Sequence, residues 1–183
     1  MFRPFALAAT VLIFPIVAAA AELPPRKAGL WEQTMTFEGR SKLPPRTMQF
    51  CVDAKTDKML NDKFSGASGD ACSKRDVKTS GDTITVDSVC NFGAGTTTSH
   101  TVVTGSFERA YTMRITSTRQ GGPQIPGATS GQPTQMTVEA KWLGACKFDQ
   151  KPGDVTMANG MKMNVLDAPA RPTMPARPAP PPR

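Results

Sequence analysis

The chain has 183 residues, with 22 Lys and Arg against 15 Asp and Glu, a formal net charge of +7, four cysteines and one histidine. The basic residues are scattered and not interleaved with aromatic residues, which excludes a nucleic-acid-binding footprint. His100 is the one imidazole, so a serine or cysteine nucleophile lacks a partner base, and no dinucleotide or phosphate motif occurs. The composition favours a protein that is not an enzyme and uses no cofactor.

Residues 1–21 have the three parts of a secretory signal peptide. Arg3 is basic, an apolar run follows it, and small residues precede Glu22. The run is short for a membrane anchor and lacks a basic stop signal. We therefore expect cleavage after Ala21 and a periplasmic, soluble protein that does not span the membrane.

The remainder divides into a domain and a tail. Residues 22–166 have the common size of one domain with its own core. Residues 167–183 are rich in proline and arginine, a composition that builds no core and predicts a disordered tail.

The first half of the domain predicts two strands and a helix. Apolar and polar residues alternate after Trp31 and again around Phe50, as in strands with one buried face. Asp53 has the side chain of a helix N-cap, and the helical spacing that follows it stops at Ser65.

The second half predicts further strands. One follows the Ser80–Gly81 turn, and a threonine-rich strand over Thr96–Phe107 pairs as a hairpin with the strand that begins near Tyr111. The clearest alternation runs from Met136 to Trp142. The Gly- and Pro-rich segment 119–134 is too long for a simple hairpin turn and is either a binding loop or a tolerated insertion.

These elements predict a mainly β fold: a single curled antiparallel sheet, as a meander or a partly open barrel, with one short helix and two disulfides. The sheet has one apolar face, which either holds a lipid or other apolar small molecule or forms an ordinary closed core. Its candidate ligand-binding residues are Trp31, Met35, Phe37, Met113, Met136 and Trp142.

The cysteines of an exported chain predict two disulfides rather than a metal site. Pairing of Cys51 with Cys72 and of Cys90 with Cys146 is favoured, because these bridges would tie the helix to neighbouring strands and the middle of the domain to its last strand. The main rival pairs Cys72 with Cys90, which flank a hairpin and would stand nearly opposite each other.

Methionines near the C-terminus are the one candidate metal-binding set. Thioethers bind Cu(I), and Met157, Met161 and Met163 surround an Asn159–Gly160 turn, across which Met157 is expected to face Met163. The alternative is that these methionines fill gaps in the core.

Four short motifs resemble a known family: Ala28 to Glu32, Phe50 to Val52, Val89–Cys90, and Lys141 to Cys146. Together they are similar to exported bacterial proteins grouped as domain of unknown function 3617, over roughly Lys27 to Asn164. The resemblance implies one small envelope domain and assigns no activity or functional residue.

The sequence thus predicts a non-enzymatic binding or interaction module of the bacterial envelope, whose partner is an envelope protein or an apolar ligand. Binding of a lipid or other apolar small molecule and binding of Cu(I) stand as alternatives.

Overall fold

The computed structural model describes residues 23–38, 44–64, 71–122 and 129–167. The predicted signal peptide, the tail beyond Asp167 and the centre of the Gly- and Pro-rich segment lie outside the described residues. The elements are β1 (Gly29–Glu38), β2 (Arg46–Val52), α1 (Ala54–Phe64), β3 (Cys72–Ser80), β4 (Thr83–Phe92), β5 (Gly95–Ser106), β6 (Ala110–Gly121), β7 (Pro133–Gly144), β8 (Asp154–Met157) and β9 (Lys162–Asn164).

Within the described ranges, nine strands form one antiparallel sheet in the order β3-β4-β5-β6-β7-β1-β2-β8-β9. The chain from β3 to β7 is a meander in which each strand pairs with the next, and β7 then pairs with β1. The sheet is not closed, so β3 and β9 are its edges. The predicted mainly β fold with one antiparallel sheet and one short helix is confirmed.

Asp53 caps α1, as predicted from the sequence. Its Oδ1 accepts a hydrogen bond from the Thr56 N–H at 2.8 Å, and the Asp53 N–H donates to the Thr56 hydroxyl at 3.0 Å. The two residues thus satisfy free backbone donors at the helix start reciprocally. The Asp53 carboxylate accepts hydrogen bonds from the Thr56 N–H and, at 2.7 Å, from the Thr56 hydroxyl, and these two bonds hold the pKa of Asp53 below its ordinary value.

The connection from β2 to β3 carries α1 over the apolar face of the sheet. β2 and β3 lie six positions apart in the strand order, which is on the order of 29 Å along the sheet. Leu60 of α1 packs into the same core as Ile84 of β4 and Val103 of β5. One short helix covers part of a nine-stranded face.

The disulfides join Cys51 to Cys146 and Cys72 to Cys90. Two disulfides were expected, but the favoured pairing is wrong and its rival for Cys72 is right. Cys72 stands directly opposite Cys90 in the β3–β4 ladder. Cys51 on β2 and Cys146 just after β7 flank β1, and their Cα atoms lie 5.4 Å apart.

The favoured bridges fail on distance. Cys51 and Cys72 lie on β2 and β3, six strand positions apart, while β4, which carries Cys90, is three positions from β7. Three positions already span roughly 14 Å, whereas the Cα atoms of a disulfide lie within about 7 Å of each other.

None of the helices in the described ranges is long and apolar enough to cross a membrane.

Candidate functional site

The register places all six predicted apolar-face residues on one side of the sheet. Residues directly opposite in antiparallel strands point to the same side, and alternate residues along a strand do so too. The six form three rows across β1, β7 and β6: Trp31 with Trp142, Met35 with Met113, and Phe37 with Met136. The sequence alternation therefore identified a real, continuous apolar surface.

Burial decreases along this surface with distance from α1. Trp31 and Tyr111 are buried with their ring centroids 5.7 Å apart, in the core that also contains Leu60 of α1. Toward the other end of β1, β6 and β7 the apolar side chains are only half-buried, except Val138, which lies between Met35 and Met113 and is 3% exposed. We call this half-buried set the open face; it consists of Met35, Phe37, Met113, Ile115 and Met136.

Ile115 belongs to the open face but is not among the six residues predicted from the sequence. It stands opposite Met136, and the alternation of the strand that begins near Tyr111 was the signal for it. Three of the five side chains are methionines, which are unbranched and adapt their shape to an irregular partner. The open face is therefore suited to contact with an apolar molecule of variable shape.

A polar rim follows the open face along the same side of the sheet. The hydroxyls of Ser117 and Thr134 lie 3.1 Å apart, and Arg119 comes two residues further along β6. Arg119 lies against Gly95 and Gly122, where a Cβ at either position would collide with its guanidinium. Its Nε is buried and has no hydrogen-bond partner among the described residues. A cation therefore lies at the polar end of an apolar surface, and sequence reasoning gave no sign of it.

At the α1 end, a buried ion pair closes the core. The Arg26 Nε donates to Asp57 Oδ1 at 2.5 Å, and the Arg26 backbone N–H donates to Asp57 Oδ2 at 2.9 Å. Both side chains are almost fully buried. The arginine also stacks over Phe50, 5.5 Å from the ring centroid.

Tyr111 lies beside this ion pair. Burial raises the pKa of Tyr111, and the neighbouring Arg26 charge partly opposes that rise. Its ring stacks on Phe107 with centroids 4.6 Å apart. A neutral phenol with a raised pKa is a poor general base. The cluster of Arg26, Asp57 and Tyr111 is therefore better suited to stabilise the end of the core than to catalyse a reaction.

The motifs at the two ends of the domain meet in the structure. Gly29 lies against Trp142 and the Gly144 carbonyl. The Trp142 Nε1 donates to the Ala28 carbonyl at 3.2 Å, and the Lys27 ammonium lies 3.9 Å from the Trp142 ring centroid. The tryptophan motifs thus fasten the segment before β1 onto β7, which makes their role structural.

The opposite side of the sheet carries a shallow polar groove of about 480 Å³. Its walls come mainly from β1, β6 and β7 and hold threonines, two glutamates and a lysine. Glu32 stands opposite Lys141 and accepts a hydrogen bond from Gln49 at 3.1 Å. The Glu32 carboxylate is thus already partnered, and the lining residues contain no histidine or cysteine. This groove offers no nucleophile with a partner base.

His100 is an exposed strand residue. It lies opposite Asp87, 2.7 Å from Nδ1 to the carboxylate oxygen, and this contact lowers the pKa of Asp87. An exposed pair on a flat strand surface encloses no substrate.

The methionines near the C-terminus are arranged differently from the prediction. Met163 stands opposite Val155, not Met157. Met157 faces Met161, whose carbonyl accepts the Met157 N–H at 2.9 Å, and its other neighbour is Met48 of β2. The predicted facing of Met157 and Met163 is wrong because the turn between β8 and β9 is tight. The sequence analysis did not include Met48 in this set, because Met48 is far from the C-terminal methionines in the chain and only the pairing of β2 with β8 brings them together.

The comparisons with known proteins give a family without an assigned activity. The family model described as a protein of unknown function, DUF3617, matches residues 26–146, which ends short of the span expected from the motifs. No curated protein and no solved structure matches the chain.

Proposed function

We propose a function for this chain, which belongs to the DUF3617 family of proteins of unknown function. We propose that it is a non-enzymatic binding protein of the bacterial envelope. We further propose that its ligand is a lipid or other apolar small molecule held on the open face. The half-buried state of Met35, Phe37, Met113, Ile115 and Met136 is the observation that carries this proposal.

The open face has the chemistry of a carrier site. Binding sites for small molecules combine a mainly apolar lining with a few polar groups that orient the ligand. Here the apolar part is continuous with the core, and Ser117, Thr134 and Arg119 follow at its end. An acyl chain on the open face would place a polar head group at this rim.

The edges of the sheet argue against an added strand from a protein partner. β3 carries exposed basic residues, Lys74, Arg75 and Lys78, and charged side chains protect an edge against pairing. β9 at the other edge has three residues. A peptide that extends the sheet is therefore less favoured than a ligand on its face.

Two features support export to the periplasm. The first 21 residues have the pattern of a signal peptide, and both disulfides are of the kind that persists in an oxidising compartment. A carrier of apolar molecules across an aqueous compartment fits that location.

The proposal is tested by titrating the purified protein with a fluorescent fatty acid, cis-parinaric acid. We expect saturable binding that weakens at least about fivefold in Ile115→Asn, since that change removes a large apolar contact surface. Thr116→Asn is the matched control, because Thr116 is the next residue of β6 and points to the other side of the sheet. Equal affinity of both variants and the unaltered protein would refute the open face as the site.

Folding is checked in parallel. Urea unfolding of both variants shows whether a loss of binding reflects loss of structure, and Met136→Gln tests the same row of the face if Ile115→Asn is unstable. Native and denatured mass spectra of protein purified from periplasm then identify the ligand. A native mass excess of lipid size that disappears on denaturation supports the carrier, and its absence together with no fatty-acid binding contradicts it.

A further inference from the structure

Three methionines stand in one line across the strands β2, β8 and β9. Met48 lies directly opposite Met157 in the β2–β8 ladder. Met157 faces Met161 at the next position of the β8–β9 register, with its N–H bonded to the Met161 carbonyl. Opposite residues in antiparallel strands have Cβ atoms about 5 Å apart and point to the same side. The three thioethers therefore project from neighbouring positions.

The backbone around this line is held by its own hydrogen bonds. The Gly160 N–H donates to the Met157 carbonyl at 2.9 Å, and the Met161 N–H donates to Asn159 Oδ1 at 3.1 Å. Gly160 has a φ of 81°, which suits the tight turn. The positions of Met157 and Met161 are thus fixed by the turn, while their long side chains keep the freedom to adjust their sulfur atoms.

The line is open at the sheet edge. Met161 is 53% exposed, although a large apolar side chain gains free energy from burial. Met48 and Met157 are half-buried beneath it. Lys162, the neighbouring cation, pairs with Asp149 at 2.6 Å on the other side of the sheet, so no paired charge of this hairpin faces the thioethers.

The three thioether ligands determine which metal ion the site would prefer. Thioethers are soft, uncharged ligands that prefer Cu(I) to the harder divalent ions. Both disulfides consume the cysteines of the described chain, so no thiol competes there for a soft cation. No group of three or more His, Cys, Asp or Glu side chains in the described ranges is placed to hold a metal ion.

We propose that Met48, Met157 and Met161 form a binding site for one Cu(I) ion. Met48 and Met163 both pack against the core, but Met163 stands opposite Val155, one residue pair away from the line of the three methionines, and we assign it no ligand role. None of the three proposed ligands belongs to the open face, although Met48 lies on the same side of the sheet as Met35 and diagonal to it. The two proposals are tested with different ligands and different variants, so either can fail while the other stands.

The test is an anaerobic competition for Cu(I) against bicinchoninate, a coloured Cu(I) chelator. We expect the protein to withdraw one equivalent of Cu(I). Methionine to leucine exchange preserves size and apolarity, so the triple variant Met48→Leu, Met157→Leu, Met161→Leu should fold and bind Cu(I) at least tenfold more weakly. Ag(I), a soft ion of the same charge that does not change its oxidation state in the assay, should bind the unaltered protein and should also bind the triple variant more weakly.

Two controls make the result decisive. The double variant Met113→Leu, Met136→Leu removes the same kind of side chain from the open face and should bind Cu(I) as the unaltered protein does. Met163→Leu should change the affinity less than twofold. Failure of the unaltered protein to withdraw Cu(I), or equal loss in the Met113→Leu, Met136→Leu control, would overturn the site. A loss in Met163→Leu as large as in Met161→Leu would overturn the assignment of ligands.

Discussion

The contact between Gly29 and the last long strand shows how a single missing side chain positions two motifs. Gly29 has a φ of 131°, and a Cβ on it would lie 2.6 Å from Trp142 Nε1 and against the Gly144 carbonyl oxygen. Gly144 has nearly the same φ, 129°, but a Cβ there would meet nothing within 4 Å. A comparison of alanine substitutions at the two glycines therefore distinguishes the free-energy cost of steric crowding from that of an unfavourable φ.

We predict that Gly29→Ala lowers the free energy of unfolding by more than about 1 kcal/mol, because alanine is strained at this φ and also displaces the indole. Gly144→Ala should cost less, since strain acts there without crowding. Urea denaturation of both variants measures the difference. A Gly29→Ala protein no less stable than Gly144→Ala would show that the contacts of the new methyl group with the Gly144 carbonyl and the Trp142 indole relax without cost.

At this scale the sequence shows which residues matter before it shows why. The Gly-Leu-Trp and Trp-Leu-Gly segments are recognisable as motifs, and the alternation around Trp31 and Trp142 places both on the apolar face. The two segments touch because β1 pairs with β7, although Ala28 and Trp142, which share a hydrogen bond, lie 114 residues apart in the chain. Arg119 was missed because a lone arginine in a polar stretch carries no periodic signal.

Among the elements, α1 depends on the segment before β1. The Arg26–Asp57 pair joins that segment to the first turn of α1 and is buried among Phe50 and Tyr111. Removing one member of a buried ion pair leaves the other charge without compensation, which costs more than replacing both. This pair therefore fixes where α1 lies on the sheet.

We predict that Asp57→Asn lowers the free energy of unfolding by about 3–5 kcal/mol. Asparagine keeps the shape and an acceptor for the Arg26 N–H, so the loss reports the unpaired guanidinium. The double variant Arg26→Met, Asp57→Asn should recover a large part of the stability, because no buried charge remains. Denaturation of the single and double variants gives the coupling energy, and a double variant less stable than Asp57→Asn would contradict the argument.

The strands illustrate what periodicity can and cannot predict. Alternation gave the strands and their apolar side because it depends on neighbouring residues only. The disulfides depend on strand order, and that order places β1 between β7 and β2. The bridge from Cys51 to Cys146 crosses β1 for this reason, and no local pattern in the chain announces it. The Cys72–Cys90 bridge was accessible as an alternative because both cysteines belong to one hairpin.

At the scale of the whole described structure, the one helix is small compared with the nine-stranded sheet, and this difference defines the candidate site. α1 has 11 residues and is roughly 16 Å long, too short to cover the apolar side of the sheet. The described residues bury the part of that side near Trp31 and leave the open face half-buried. The apolar side thus forms the core at one end, and at the other end it is the surface to which the proposed function assigns the ligand.

The polar rim lies at one end of the open face and would therefore orient an amphiphile bound there. Arg119 lies four residues beyond Ile115 along β6, which corresponds to roughly 13 Å. Both side chains point to the same side of the sheet, since even steps along a strand preserve the side. An amphiphile whose chain lies on the open face and whose head group is anionic would bring that charge to a guanidinium whose Nε has no partner within the described chain.

We therefore predict that the protein binds a fatty acid more tightly than the fatty alcohol of the same chain length. The expected preference is on the order of threefold, the range of a partly exposed charge pair. Arg119→Gln should abolish the preference while leaving the affinity for the alcohol unchanged, because the apolar contacts remain. Arg114→Gln is the matched control, since Arg114 is exposed on the opposite side of the same strand. Displacement of bound cis-parinaric acid by each competitor measures both affinities. A preference that survives in Arg119→Gln but not in Arg114→Gln would place the head group on the other side of the sheet.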